Sequence, residues 1–296
     1  MEKTGCTLCP RRCGANRTTG RGQCGMGARL RVARAALHTG EEPCLCGERG
    51  AGAVFFSGCA LHCVFCQNAE ISQRGFGKEI GTAQLAEIFL RLQDEGAQTL
   101  DLVSPTHFAP QIARALERAK PRLRIPVVYN SNGYDSPEVL GMMDGLVEIY
   151  LPDLKYKDAA LSKAYSGAAD YFDVAQAAIQ EMYRQTGPLQ WGANGVLQRG
   201  LMVRHLLLPG CRKDSMAVLE ALSRLAPPRH ILLSLMSQYT PCYRAAAYKE
   251  IDRRVTDFEI DSVRDYAVRL GFEGYGQARS AADSRYTPAF DLTGVW

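Results

Sequence analysis

Ten residues, Ser57 to Cys66 (SGCALHCVFC), set three thiols at the spacing C-x3-C-x2-C and constrain this chain more than any other stretch. On one continuous α-helix, Cys59 and Cys66 would stand about 10 Å apart along the axis, too far for one small inorganic centre. The segment is therefore expected to wrap as a loop, with Ser57 and Gly58 supplying freely turning backbone before the first thiol. The number of thiols is informative too. Structural zinc sites and electron-transfer clusters usually take four protein ligands, so a trio holding an iron-sulfur cluster leaves one position for an exogenous ligand. Buried free cysteines are the alternative, but Gly58, His62 and Gln67 among these thiols make a poor apolar stripe.

With 296 residues, 46% of them apolar and 22% charged, the chain can bury a full core. No apolar run approaches the roughly 20 residues of a membrane span, and the start, MEKTGCTLCPRRC, does not resemble a signal peptide; a cytoplasmic protein is expected. The eleven cysteines, an odd number clustered as C-x2-C, C-x3-C and C-x-C, favour metal over cross-links in that setting. A net charge of +4 is too weak to argue for nucleic acid.

Residues 1–50 read as a Cys- and Arg-rich metal-binding segment. Cys6, Cys9, Cys13 and Cys24 lie among Arg11, Arg12, Arg17, Arg21, Arg29, Arg31 and Arg34, with little apolar material for a separate core. A bound metal would supply the missing stability. The spacing C-x2-C-x3-C-x10-C suits a closed site of four ligands, either zinc or a second iron-sulfur cluster, with free thiols as the alternative. The arginines read as a solvated face, as counter-charge to an anionic cluster, or as a contact for a phosphate-bearing or acidic partner. Without interleaved aromatics they do not support nucleic-acid binding. Glu41 to Gly52 follows as a Gly-rich link. Its Cys44 and Cys46 share a face if extended, and either reach one metal or stand as small buried residues.

From Ala53 the pattern alternates between apolar runs and helical periodicity. Strands are expected in 53–57, 99–104, 125–130, 146–155, 200–210 and 230–236, with helices between them. One helix is expected to be N-capped by Thr82 and ended at Gly96; another reads Ser136 as cap and Pro137 as first residue. Regular alternation implies parallel pairing with right-handed crossovers. Six units in roughly 190 residues suit an incomplete (β/α)6 barrel over residues 51–240 better than a full barrel of about 250. Residues 241–296 read as a helix, from about Glu259 to Leu270, and a tail that closes the open side.

In parallel β/α folds the reactive groups gather at the carboxyl ends of the strands. Beyond the cysteine loop, those positions hold Ser104, Thr106 and His107; Asn130, Ser131 and Asn132; Asp153 and Lys155; Arg204 and His205; and Gln238 and Tyr239. Such a rim can bind a polar ligand or stand as an ordinary solvated edge. His38, His62 and His230 read as surface or core residues.

C-x3-C-x2-C with an aromatic residue, Phe65, directly before the last thiol resembles the signature of the radical S-adenosylmethionine (SAM) superfamily. The order GCALHCVFCQN, YNSNG, YLPDLKY and VRHLLLPG, with CTLCPRRCGANRTTGRGQCG at the start and the phrases LVSPTH and SLMSQY, is similar to the pyruvate formate-lyase activating enzyme family and a branch of its homologues. The resemblance implies a partial TIM-like barrel and a 4Fe-4S cluster held by Cys59, Cys63 and Cys66. The fourth iron would chelate the amino and carboxylate groups of SAM, with Phe65 near the adenine. By the same analogy Ser104 and Thr106 lie where a Gly-Gly-Glu segment binds the SAM amino group, and Asn130 and Asn132 belong to a ribose-side loop. Asp153 and Lys155 match an Asp-x-Lys pair, Arg204 follows the fifth-strand pattern, and Gln238 stands where a histidine is often found.

The implied activity is reductive cleavage of SAM, fed by a low-potential electron donor, to a 5′-deoxyadenosyl radical that abstracts hydrogen from an unknown substrate, small molecule or protein. The alternatives are a glycyl-radical activase acting on a protein partner and a non-catalytic iron-sulfur electron carrier or binding module. The three cysteines are ligands, and no side chain is assigned a catalytic role. The missing Gly-Gly-Glu segment, Asn130 in place of a carboxylate, and the lack of a histidine in Ser237 to Tyr239 separate this chain from the activases' cation site and substrate.

Overall fold

Apolar runs bounded by glycine and proline become the strands of one large sheet in the computed structural model, which describes residues 5–276 and 288–296. The strands are β1 (Arg31–His38), β2 (Ala51–Phe56), β3 (Lys78–Glu79), β4 (Leu100–Val103), β5 (Val127–Ser131), β6 (Ile149–Pro152), β7 (Gln190–Trp191), β8 (Leu197–Leu206), β9 (Leu232–Met236) and β10 (Glu273–Gly276). The helices are α1 (Pro43–Cys46), α2 (Ala69–Ser72), α3 (Thr82–Asp94), α4 (Ala109–Ala119), α5 (Pro137–Gly141), α6 (Ala159–Ser166), α7 (Tyr171–Thr186), α8 (Arg212–Leu225) and α9 (Asp257–Arg269). In space the strands run β10-β9-β8-β6-β5-β4-β2-β1-β3, with β7 beside β8. From β2 across to β10 every neighbouring pair is parallel. This is the expected partial barrel, lengthened by β10, a parallel strand that the sequence pattern did not suggest.

Every residue of β2 is buried, as in parallel strands covered on both faces. The helices bury the expected faces: Leu85, Ile88, Phe89 and Leu92 in α3 are inside, and α7 stops at Gly187. Ser136 caps α5 by accepting from the Val139 N–H. Thr82 is not a cap. Gly81, with extended backbone, takes that place, and Thr82 is the first helical residue. A capping box between Thr256 and Glu259 starts α9 slightly before the expected position.

The expected boundary at residue 50 is crossed by the core. β1 pairs antiparallel with β2 in the main sheet, and one apolar cluster takes in Cys9, Met26 and Leu30 together with Phe56, Val263 and Val295. Nor is 41–52 a simple extended link, because Pro43 starts the one-turn helix α1. The carboxy-terminal end returns to β1, where the Leu292 N–H donates to the Ala33 carbonyl (3.1 Å) and the Ala35 N–H to the Thr293 carbonyl (2.9 Å). The part of the expected tail at 277–287 lies outside the described residues. Among the described residues, no helix is long and apolar enough to cross a membrane.

Candidate active site

The carboxyl ends of the parallel strands surround a cavity of about 300 Å³, at the lower end of the range typical of ligand clefts. Cys59, Cys63 and Cys66 line it together, as the loop reading requires. The loop is tied down from several sides. The Gly58 N–H donates to Ile71, Cys59 to Cys24, His62 to Ser166 and Val64 to Tyr165, all to carbonyls. Each sulfur also has a polar neighbour: Asn132 Nδ2 at 3.2 Å from Cys59, Ser166 Oγ at 3.0 Å from Cys63, and Ser72 Oγ at 3.2 Å from Cys66. Burial pushes all three thiols up, Cys59 to about 12 and Cys66 to about 11.

Among the described residues, no group of three or more His, Cys, Asp or Glu side chains is arranged to hold a single metal ion. Three thiols lining one cavity, each with a polar neighbour at its sulfur, supply the donor set of an iron-sulfur cluster. The residues present thus fit the implied 4Fe-4S group.

Gly58 makes the wrap possible. Its φ is +89°, and an added Cβ would fall 2.4 Å from Met26 Cγ and 2.7 Å from the Cys24 carbonyl oxygen. Gly58→Ala is expected to cost at least about 2 kcal/mol, since left-handed backbone alone costs a β-carbon residue roughly 1–2 kcal/mol. The readouts are a lower unfolding midpoint and less iron retained on reconstitution. An unchanged midpoint would show that the loop tolerates the side chain.

Around the thiols, Phe65, Ser104, Asn130, Asn132, Asp153, Lys155, Arg204 and Gln238 all line the cavity. Phe65 packs edge-on against Tyr239 (5.8 Å between ring centroids). Asn132 spans two contacts, donating to Cys59 Sγ and accepting from the Tyr134 N–H. Lys155 Nζ lies 2.5 Å from Asp153 Oδ2. Burial opposes the ammonium charge, but Asp153 and the nearby Cys63 more than offset it, so Lys155 stays protonated. The Tyr171 hydroxyl bridges the Asn132 and Asp153 carbonyls and fixes the backbone on both sides.

Thr106 departs from expectation. It is buried and donates to Asp135 Oδ1 (2.6 Å), sharing that carboxylate with Tyr129 and Ser131, and it does not line the cavity. His205 is likewise spent on a structural contact, with Nδ1 donating to the Leu154 carbonyl. Cys44 and Cys46 are buried and do not line the cavity, with Cys44 among Leu45, Val128 and Ile149, which supports the small-buried-residue reading.

Residues 53–166 match the family model of the radical SAM superfamily. The chain carries a radical SAM domain. The match spans the cysteine loop and Lys155 but stops before Arg204 and Gln238. Over 282 residues the chain is 29% identical to an uncharacterized protein of Methanocaldococcus jannaschii, covering 90% of this chain and 75% of that one. Its fold is similar to Streptococcus suis SuiB bound to the precursor peptide SuiA (14% identity, TM-score 0.51), to the methylornithine synthase PylB (14%, 0.52) and to a spore photoproduct lyase variant (12%, 0.50). These likenesses cover 74%, 73% and 82% of this chain and 46%, 60% and 80% of the solved chains. The chain thus spans about half of SuiB's length. At such identities the likeness is one of fold. The radical SAM match over residues 53–166 points to a 4Fe-4S cluster and SAM.

Behind the radical SAM thiols lies a charged group that the sequence did not reveal. Arg204 Nε donates to Glu42 Oε1 (2.9 Å), and its Nη2 reaches both Glu41 and Glu42. The Glu42 side chain is 1% exposed, and Arg204, despite its burial, holds its carboxyl below the ordinary range. Beside them Asp101 is fully buried, with Oδ1 lacking a hydrogen-bond partner among the described residues. Burial and the nearby Glu41 push its carboxyl well up. His38, expected to be filler, lines the cavity 3.8 Å from Glu41. The one available sequence signal was the Glu-Glu pair just before Pro43 in a basic segment.

Two buried histidines set a pH limit. His107 Nε2 donates to the Ser57 carbonyl (2.7 Å), and burial lowers both His107 and His205 to about 4 from the ordinary 6.5. Both rings are neutral when folded, while the unfolded chain takes up protons below about pH 6.5. The stability they contribute is complete above that pH and is lost as pH falls toward 4, about 3 kcal/mol per ring. A falling unfolding midpoint between pH 6.5 and 4, flattened by His107→Gln, is expected. A flat native profile would contradict it.

Proposed function

We propose that this chain is a radical SAM enzyme that cleaves SAM reductively and uses the resulting radical on a substrate of its own. The observation that carries the proposal is the convergence of Cys59, Cys63 and Cys66 on one cavity whose rim also holds Lys155, Asn130, Asn132 and Gln238. When bound, the reduced cluster with SAM supplies a 5′-deoxyadenosyl radical able to abstract hydrogen. Everything else is the work of the chain. Cys59, Cys63 and Cys66 hold the cluster, and Asn132, Ser166 and Ser72 place polar groups against their sulfurs, which tunes how readily the centre accepts an electron. Lys155 offers a fixed cation toward Cys63 and toward a carboxylate in the cavity. Gln238 Oε1, buried and without a partner among the described residues, is available to an amine or hydroxyl donor. Phe65, backed by Tyr239, gives an apolar surface for a purine.

Arg204 lines the cavity with its guanidinium bound by Glu41 and Glu42, which supports a role in shaping the cavity wall. A glycyl-radical activase is a special case of this function, in which hydrogen leaves a protein backbone. Deuterium passing from a labelled glycyl peptide into 5′-deoxyadenosine tests that case. The general proposal is tested by incubating anaerobically reconstituted protein with SAM and dithionite. Methionine and 5′-deoxyadenosine should form in equal amounts, and no cleavage by cluster-replete protein overturns it.

A further inference from the structure

We infer that Cys6, Cys9, Cys13 and Cys24 hold a second iron-sulfur cluster, placed between the surface and the SAM-side thiols as an electron relay. The backbone folds these four residues onto one another. The Cys6 N–H donates to the Ala15 carbonyl, the Gly14 N–H to the Cys6 carbonyl, and the Gly25 N–H to the Gly22 carbonyl. Cys13 and Cys24 flank Gly22, where an added Cβ would lie 3.4 Å from Cys13 Sγ and 3.5 Å from Cys24 Sγ. All four thiols are free.

The set has an inner and an outer side. Cys9 and Cys24 are buried, while Cys6 and Cys13 are partly exposed. On the inner side the Cys24 carbonyl accepts directly from the Cys59 N–H (3.2 Å), so the two thiol loops share a hydrogen bond. Two arginines reinforce the joint. Arg11 Nε donates to the Ala60 carbonyl (3.0 Å), within the SAM-side loop. Arg17 Nη1 donates to the His107 carbonyl (2.6 Å), and the His107 ring in turn donates to Ser57 at the start of that loop. Two fixed cations between two thiolate sets suit anionic centres on both sides.

The choice of a cluster over zinc rests on position: the Cys24 carbonyl accepts from the Cys59 N–H, and a ligand loop bonded directly to another cluster's loop is where a redox centre is useful, whereas zinc carries no electron. One electron would leave a low-potential one-electron reductant, reside on the outer cluster, and pass to the SAM-side cluster, leaving the reductant oxidised by one electron. The destination of that electron rests on the function proposed above, whereas the site itself does not.

The test uses full-length Cys59→Ala/Cys63→Ala/Cys66→Ala protein reconstituted anaerobically. It should retain about two or about four irons per chain with as much sulfide, the content of a cluster bound by four cysteines. One zinc per chain, or no metal, overturns the proposal. Should that variant fail to fold, Cys6→Ala/Cys13→Ala, altered only on the outer side, should lose iron relative to the native protein yet keep a SAM-shifted paramagnetic signal, and unchanged iron content overturns the site. In this second variant, stopped-flow reduction of the remaining cluster by dithionite should slow at least about tenfold, and an unchanged rate overturns the relay. Failure of SAM cleavage in the native protein, with iron retained in the triple variant, would count against the proposed function and leave the second site standing.

Discussion

Cys63→Ala is expected to leave a folded chain that cleaves SAM at least about 100-fold more slowly. Loss of a supporting hydrogen bond near a metal costs up to about that much, and loss of a ligand costs more. Cys63 is the informative member of the trio. Its sulfur sits by Ser166 and near Lys155, so its removal takes away a cluster ligand and a negative neighbour of the lysine together. The side chain is small, and the buried methyl of alanine fills most of the same space, so circular dichroism and the unfolding midpoint of the cluster-free protein should change little. Iron analysis and 5′-deoxyadenosine formation are the readouts. Full cleavage activity in this variant would mean that the cluster is held elsewhere.

Arg204→Ala should show the opposite profile, with a large loss of stability. Removing the guanidinium leaves Glu42, almost wholly buried, and Glu41 without their cation, next to the buried Asp101. Breaking a buried ion pair from one side typically costs about 3–5 kcal/mol. For a chain of this size that lowers the unfolding midpoint by roughly 10 °C. The pH dependence identifies the cause. In the native protein the carboxyl of Glu42 is lowered by Arg204, so its stabilisation is present above the ordinary carboxylate range and lost as pH falls through the folded value. Without Arg204 the buried carboxyl is raised instead, and the deficit should be largest at neutral pH and shrink toward pH 5. Glu42→Gln placed on Arg204→Ala should restore part of the loss. A variant of native stability that binds SAM weakly would instead make Arg204 a direct SAM ligand.

Most of the parallel core was legible because its strands are short continuous apolar runs such as AVFF and EIYL, and both surfaces of the sheet are covered. β1 was not, because Arg31 and Arg34 break up its valine and alanines. Their partners, Glu79 and Asp291, lie far along the chain. The thiol trio could be read from spacing alone, since wrapping a loop around a metal is a local property. Rim position was a weaker guide. It placed Ser104, Asn130 and Lys155 at the cavity, but the turn after β4 carries Thr106 inward to Asp135, which no spacing rule encodes. Glu41 and Glu42 stayed hidden for a related reason. Their meaning depends on Arg204, which only the closing of the sheet brings beside them.

The central claim is that Cys59, Cys63 and Cys66 present a cluster with one position open to SAM. Its most direct test is the low-temperature electron paramagnetic resonance spectrum of the reduced, reconstituted Cys6→Ala/Cys13→Ala protein, in which signal from the outer site is removed, recorded before and after addition of SAM. A shift in the cluster's g-values that saturates with SAM, and disappears when Cys63→Ala is added, is the predicted result. A cluster spectrum that stays the same at saturating SAM would contradict the account.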